Sequence, residues 1–259
     1  MAVLLHVTDL HLTGDGSQPY GLCPRERLQR FVARVNDEFA YADAVVCTGD
    51  LTHAAQPASY DELQTCLAGS SVPWQITIGN HDSRPMFLER FAAHGQGGFA
   101  QSYRRLAGVD LCLLDTHLED SAGGTICDAR LAWLDERLAG ATQPVALFMH
   151  HHPSPLGIRA VDAIALERAD ELAAVLAPHR QRLLFIGHGH THRTSFGQWQ
   201  GIPVIGQRSL VHQASLGLRR SVRLVSGTPA FSVIEIDGGA FRVHHEDLDL
   251  SPMLPRAAH

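Results

Sequence analysis

The chain has little with which to staple itself, cross a membrane or grip a nucleic acid. Its five cysteines (Cys23, Cys47, Cys66, Cys112 and Cys127) are scattered, with no C-x-x-C spacing. That argues against a disulfide framework or a zinc knuckle and for reduced thiols in a cytoplasm. The apolar start Val3-Leu4-Leu5 is interrupted by His6 and Asp9 and lacks a basic n-region, so neither a secretion signal nor a membrane span is expected. Basic residues (21) are fewer than acidic ones (27), giving a net charge of -6 and a pI near 6.3. No basic field is left to follow a nucleic-acid duplex, whereas a small anionic substrate held locally remains compatible. A Gly-x-Ser-x-Gly elbow, a P-loop and a Gly-x-Gly-x-x-Gly turn after a strand are all missing, so no serine-nucleophile or nucleotide-loop chemistry competes for the assignment.

At 259 residues and 45% hydrophobic content, the chain can bury a large core as one domain over residues 1–250, with 251–259 expected as a poorly ordered tail. Short apolar runs rich in β-formers alternate with amphipathic stretches, the pattern of an α/β protein. Strands are expected at 2–7, 44–47, 74–78, 111–114, 145–149, 183–186 and 204–205, and the runs 231–236 and 241–245 read as a hairpin. Helices are expected at 24–39, 57–67, 129–138 and 163–176. In the first, Pro24 suits the opening turn, and Leu28, Phe31, Val32 and Val35 share a face. The loops 95–100 and 118–125 are candidates for the rim of a pocket.

Five short motifs sit where these strands run out: Asp9-Leu10-His11, Gly49-Asp50, Gly79-Asn80-His81-Asp82, His150-His151-His152 and Gly187-His188-Gly189-His190. Residues at the carboxyl ends of adjacent strands converge on one crevice. Aspartate, asparagine and neutral imidazole are the donors that suit zinc, manganese, iron or cobalt, and no cysteine lies among them. Glycines at these strand ends let the backbone approach a site closely. A lone histidine is more often a surface or core residue than a ligand, so the argument rests on the joint pattern.

That ordered set, over residues 3 to 192, resembles the calcineurin-like metallophosphoesterase superfamily. The resemblance implies a four-layer β-sandwich of two mixed sheets flanked by helices, and a site for two metal ions. Carried over position by position, Asp9, His11 and His190 would hold the first metal. Asp50 would bridge to the second, and Asn80, His150 and His188 would complete it. A two-oxygen carboxylate can bridge cations roughly 3.5 to 4 Å apart, which agrees with that assignment. His81 would stand over the substrate phosphate with Asn80 nearby, and Asp82 would either orient His81 or act as a turn or capping residue. His151 and His152 would be secondary, and His192 would face solvent or sit behind the ligands.

Di-metal chemistry of this kind implies hydrolysis in which metal-bound hydroxide attacks phosphorus directly, with no phosphoenzyme. The segments Phe148-Met149-His150-His151, Pro153-Ser154-Pro155-Leu156-Gly157 and Val211-His212-Gln213 resemble the bacterial branch with cyclic-nucleotide phosphodiesterases and glycerophosphodiesterases. Small phosphodiesters of those two kinds are therefore the expected substrates. A phosphomonoesterase with the same site and a non-catalytic metal-binding scaffold are the alternatives. His212 is either a substrate contact or an ordinary loop histidine, and Arg208 either a phosphate contact or a surface residue. Arg159, Asp162 and the 118–125 loop could select the leaving group. A homo-oligomer is compatible, with the C-terminal strands and Leu210 to Leu218 as candidate interface.

Overall fold

The computed structural model describes residues 1–216 and 222–248. The expected tail, 251–259, and the end of the candidate interface stretch, 217–218, lie outside the described residues. The strands are β1 (Ala2–Val7), β2 (Ala44–Thr48), β3 (Trp74–Thr77), β4 (Ser102–Leu106), β5 (Val109–Leu114), β6 (Val145–Met149), β7 (Leu183–His188), β8 (Ser195–Trp199), β9 (Ile202–Gly206), β10 (Gln213–Leu216), β11 (Val222–Val225), β12 (Ala230–Asp237) and β13 (Ala240–Asp247). The helices are α1 (Pro24–Glu38), α2 (Pro57–Ala68), α3 (Arg84–Arg90), α4 (Asp128–Ala139), α5 (Arg159–Asp162) and α6 (Ala169–Leu176).

Two mixed sheets carry the fold. One runs β13-β12-β1-β2-β3, the other β4-β5-β6-β7-β9-β8, and β10 with β11 forms a separate two-stranded ribbon. Parallel pairing at β1-β2-β3 and β5-β6-β7-β9 gives way to antiparallel pairing at the margins. Strand alternation divides the core into three. From β1, Ala2 and Leu4 enter the layer between the sheets, while Val3, Leu5 and Val7 face α1 and α2. From β6, Ala146 and Phe148 point inward, and Val145, Leu147 and Met149 meet α4 and α6. Both faces of these strands are covered, so their sequences are almost continuously apolar. The result is the expected four-layer sandwich of helices, sheet, sheet and helices.

The helix expected over 163–176 is only its second half, α6; residues 163–168, which follow α5, are a segment pinned to the loops beside it. Leu166 N donates to His152 O (3.1 Å) and Glu167 N to Gly124 O (2.7 Å), and Arg168 turns at φ 58°. The apolar spacing there serves a docked loop: Leu166 reaches the same core as Leu172 and Leu176. The C-terminal strands give no free apolar face. Phe231 and Val233 pack under α1 and α2, and Ile234 and Ile236 lie between the sheets. Among the described residues no helix is long and apolar enough to cross a membrane.

Phe31 anchors the helical layer over the first sheet. It is fully buried, with Trp74 and Phe231 edge-on at 5.8 and 5.2 Å between ring centroids. Phe31→Ala should lower unfolding free energy by about 3–5 kcal/mol, the usual cost of deleting a buried ring. Urea denaturation of the variant beside the parent checks this.

Candidate metal centre

Five strand ends deliver the site. Asp9 and His11 follow β1, Asp50 follows β2, Asn80 to Asp82 follow β3, His150 follows β6, and His190 and His192 follow β7. Backbone bonds lash the first two turns together: Asp9 N donates to Gly49 O (3.0 Å) and His11 N to Asp50 O (2.9 Å). Gly49 has φ +95°, and a Cβ there would lie 2.5 Å from Gly79 N; a Cβ on Gly79 would lie 2.2 Å from Asp50 Oδ1. Only two glycines allow these turns to pass so closely.

Asp50 stands between two clusters. Its Oδ1 lies 3.3 Å from His150 Nε2, and its Oδ2 lies 3.8 Å from His11 Nε2. On the Oδ2 side, Asp9, His11, Asp50 and His192 offer donor atoms within 4.8 Å of one another, and all four residues are buried. On the Oδ1 side, Asn80 Oδ1 approaches His150 Nε2 at 3.1 Å, and the ring of His190 stands 5.0 Å from that of His150. The structure thus brings Asp9, His11, Asp50 and His150 together, with Asn80 beside them.

The final motif is displaced by two residues. Gly-His-x-His occurs twice in the overlapping run from Gly187 to His192, and the geometry selects Gly189-His190-Thr191-His192. His192 Nε2 lies 3.3 Å from both Asp9 Oδ1 and His11 Nε2, so His192 occupies the place assigned to His190. His190 belongs beside His150, the place assigned to His188. The ring of His188, the last residue of β7, bonds only to the neighbouring Gly189 O (2.9 Å), and its buried Nε2 has no partner among the described residues. Backbone conformation separates them as well. Ten described non-glycine residues have positive φ, and five are Asp9, His11, Asp50, His190 and His192, whereas His188 is not one. Backbone strain of this kind concentrates at functional sites.

Asp82 does not orient His81. Its carboxylate accepts from Gly79 N (2.9 Å), Leu51 N (3.0 Å), Thr52 N (2.9 Å) and Thr52 Oγ1 (3.0 Å), so it clamps the β2 and β3 turns together. The cap of α3 is Ser83. His81 is oriented by the carbonyl of His53, which accepts from its Nδ1 at 2.7 Å, and the two rings stack 5.7 Å apart. His53 escaped the sequence reading, although it lies three residues beyond Asp50. A cavity of about 320 Å³ opens over His11, Asp50, Asn80, His81, His190 and His192. Its wall includes His212 as well as Tyr20, His53 and Ala122 of the 118–125 loop. Arg208 is turned away into an ion pair with Asp247, and the Asp162 carboxylate accepts from Leu156 N. His151 is held behind the site by Thr116 (Oγ1 to Nδ1 2.8 Å), and His152 is buried.

Comparison with known proteins now decides the family. The model for calcineurin-like phosphoesterases matches residues 2–194. This chain belongs to that family. A probable cyclic nucleotide phosphodiesterase of Rhodopseudomonas palustris is 39% identical over 82% of this chain and 79% of its own length. A glycerophosphodiester phosphodiesterase of Enterobacter lignolyticus is 30% identical over 82% and 78%. The 3',5'-cyclic adenosine monophosphate phosphodiesterase of Escherichia coli is 30% identical over 76% and 72%. Among solved structures, a purple acid phosphatase of yellow lupin aligns with a TM-score of 0.66 at 12% identity. It matches 95% of this chain, which spans about half (51%) of the lupin chain, and it supports the fold alone.

The donor set of this calcineurin-like phosphoesterase suits a pair of cations. Three imidazoles each give one nitrogen to a backbone carbonyl: His150 Nδ1 to Thr48 (2.7 Å), His190 Nε2 to Ile164 (3.0 Å) and His192 Nδ1 to His212 (2.8 Å). Such bonds fix the tautomer and leave the other nitrogen as a lone-pair donor. Burial, reinforced by neighbouring imidazoles, holds His11 and His190 well below the ordinary histidine range. Both are therefore neutral and able to ligate. For Asp9 burial opposes ionisation, but the charge and hydrogen bond of His192 bring it down to about 2. For His192 burial opposes protonation, yet the Asp9 carboxylate raises it above the ordinary value. Burial and the charge of Asp50 push Asp82 up to about 6.

The displaced motif gives a direct comparison. His192→Ala should lower metal affinity by about a hundredfold or more, beyond the range for an outer partner. His188→Ala should leave metal content near that of the parent. Metal analysis of both variants after equilibration with manganese and desalting checks the pair.

Proposed function

We propose that this chain is a two-metal phosphodiesterase for small diesters, and that 3',5'-cyclic nucleotides are preferred to glycerophosphodiesters. Asp9, His11, Asp50 and His192 would hold one cation, and Asp50, Asn80, His150 and His190 the other. When bound, the pair would supply Lewis acidity and deprotonate water near neutral pH. Manganese, iron, zinc and cobalt all suit the donors. His81 has its Nδ1 committed to the His53 carbonyl, so a proton it delivers to the leaving oxygen departs from Nε2. Hydrolysis adds one water across the P–O bond and releases a monoester and a hydroxyl. Asp82 acts through position, by fixing the turns that carry Asp50 and Asn80.

The observation that carries the substrate preference is the cavity's second side. Ala122, Ala160, Val161, Ile164, Ala214, Val222 and Leu224 line it, and among the described residues no arginine does. Against these apolar side chains a glycerol group finds few polar partners. A nucleobase burying about 100 Å² against this wall would gain roughly 2–3 kcal/mol. The relatives named for cyclic nucleotides support the same reading.

The manganese-loaded protein should therefore hydrolyse 3',5'-cyclic AMP with kcat/KM at least about tenfold above glycerophosphocholine, the scale a hydrophobic pocket can provide. Rates on bis- and mono-(p-nitrophenyl) phosphate, run beside His81→Ala, complete the test. A preference for the monoester, or for glycerophosphocholine, would overturn it.

A further inference from the structure

The free edge of the second sheet has the form of a self-pairing surface. Among the described residues strand β8 has a partner only in β9, and it reads Ser195-Phe196-Gly197-Gln198-Trp199, with no charge. Exposed edges are normally blunted by charge or cover, because their unpaired N–H and C=O groups invite another strand. The other edges of the two large sheets obey this. β4 carries Arg104 and Arg105; β13 carries Arg242, Glu246 and Asp247; β3 is only four residues long and mostly buried. β8 presents Phe196 at 74% exposure beside Gly197 and Gln198, both exposed.

Register identifies the backbone groups that are free. β8 and β9 are joined by Gln200 and Gly201, both with positive φ (51° and 75°), a two-residue hairpin. In such hairpins the pair flanking the turn, here Trp199 and Ile202, exchanges hydrogen bonds, and bonding alternates from there. Gln198 opposite Pro203 is then a non-bonded pair, as proline's missing N–H requires, and so is Phe196 opposite Ile205. The N–H and C=O of Phe196 and Gln198 therefore point outward, and no bond from another described residue engages them. Gly197 lies between. Its φ is not positive, and a Cβ would meet nothing within 4 Å. Nothing among the described residues of one chain calls for glycine at this position, whereas strand glycines often mark close approach by another backbone.

We propose that β8 pairs antiparallel with β8 of a second copy, about a two-fold axis through Gly197. Phe196 of each copy exchanges both backbone bonds with Gln198 of the other. The two glycines face each other in the intervening non-bonded pair, where Cα atoms come within about 4.5 Å. The two Phe196 rings lie diagonally across the junction, within reach of one another. Two six-stranded sheets become one of twelve strands, closed by its own symmetry. A foreign strand would have no reason to meet glycine at the centre, and this choice of occupant rests on that symmetry.

Sedimentation equilibrium of the full chain over a concentration series, with variants, tests this. The parent should dimerise. Gln198→Pro removes only an outward N–H, and Phe196→Arg adds the missing edge charge; each should raise the dimer dissociation constant at least about tenfold. Phosphodiester hydrolysis should not change, because β8 does not line the cavity. Gly197→Cys should form a covalent dimer on mild oxidation, under conditions in which the parent, with its own cysteines, does not. A monomeric parent, a dimer unaffected by both edge variants, or a Gly197→Cys chain that does not cross-link would each overturn the proposal.

Discussion

The site depends on the two oxygens of one buried carboxylate facing opposite ways. Asp50 Oδ1 is turned toward His150 and Asn80, and Oδ2 toward His11. That orientation has to be imposed, because an isolated carboxylate would be solvated by whatever donor came first. The β2 turn imposes it. Asp50 itself sits at φ 48°, its Oδ1 accepts from His81 N (2.9 Å), and Gly49 and Gly79 allow the neighbouring turn to pass with no side chain between. Asp82 then ties both turns through four bonds from the Gly79, Leu51 and Thr52 groups. Leaving such a buried carboxylate without donors would cost several kcal/mol, so the clamp is also what makes its own burial tolerable.

Around Asp50 the chain assembles imidazoles whose second nitrogens are aimed by backbone carbonyls. The carbonyls come from different elements: Thr48 ends β2, Ile164 follows α5, and His212 precedes β10. The second nitrogen of each ring is therefore set by the packing of the sandwich as a whole, and distant core changes can reach the site through these bonds. The apolar wall opposite comes from equally separate pieces, α5 with its following loop and the β10-β11 ribbon. The polar cluster and the apolar wall lie on opposite sides of one cavity and are built from different parts of the fold.

Much of this was legible in the sequence where a rule of local chemistry spoke alone. β1, β2, β3, β6 and β7 were marked by apolar runs ending at a motif, β5 by an apolar run, and α1, α2 and α4 by amphipathic spacing, and their limits agree within about two residues. β4, with its two arginines, and β8, with a glycine and no apolar run, carry too little apolar pattern to be seen. The 163–176 segment misled because Leu166 keeps helical spacing while its backbone is pinned to a neighbouring loop. In the site, Asp9, His11, Asp50, Asn80 and His150 follow single motifs and were legible. His188, His190 and His192 were not, because the same motif occurs twice and either register satisfies it. What separates them is where β7 ends. The strand runs through His188, which buries that ring, and only the turn beyond it reaches the site. Asp82 misled for a related reason, since adjacency in sequence to His81 suggested a partner that the β2 turn supplies instead.

The central claim is that Asp50 lies between two cations, each completed by one histidine of the Gly189 to His192 turn. Anomalous diffraction from crystals of the manganese-loaded protein tests this most directly. The account predicts two peaks flanking Asp50, one among Asp9, His11 and His192 and the other among Asn80, His150 and His190. A single peak, or a peak ligated by His188 in place of His190 or His192, would contradict it.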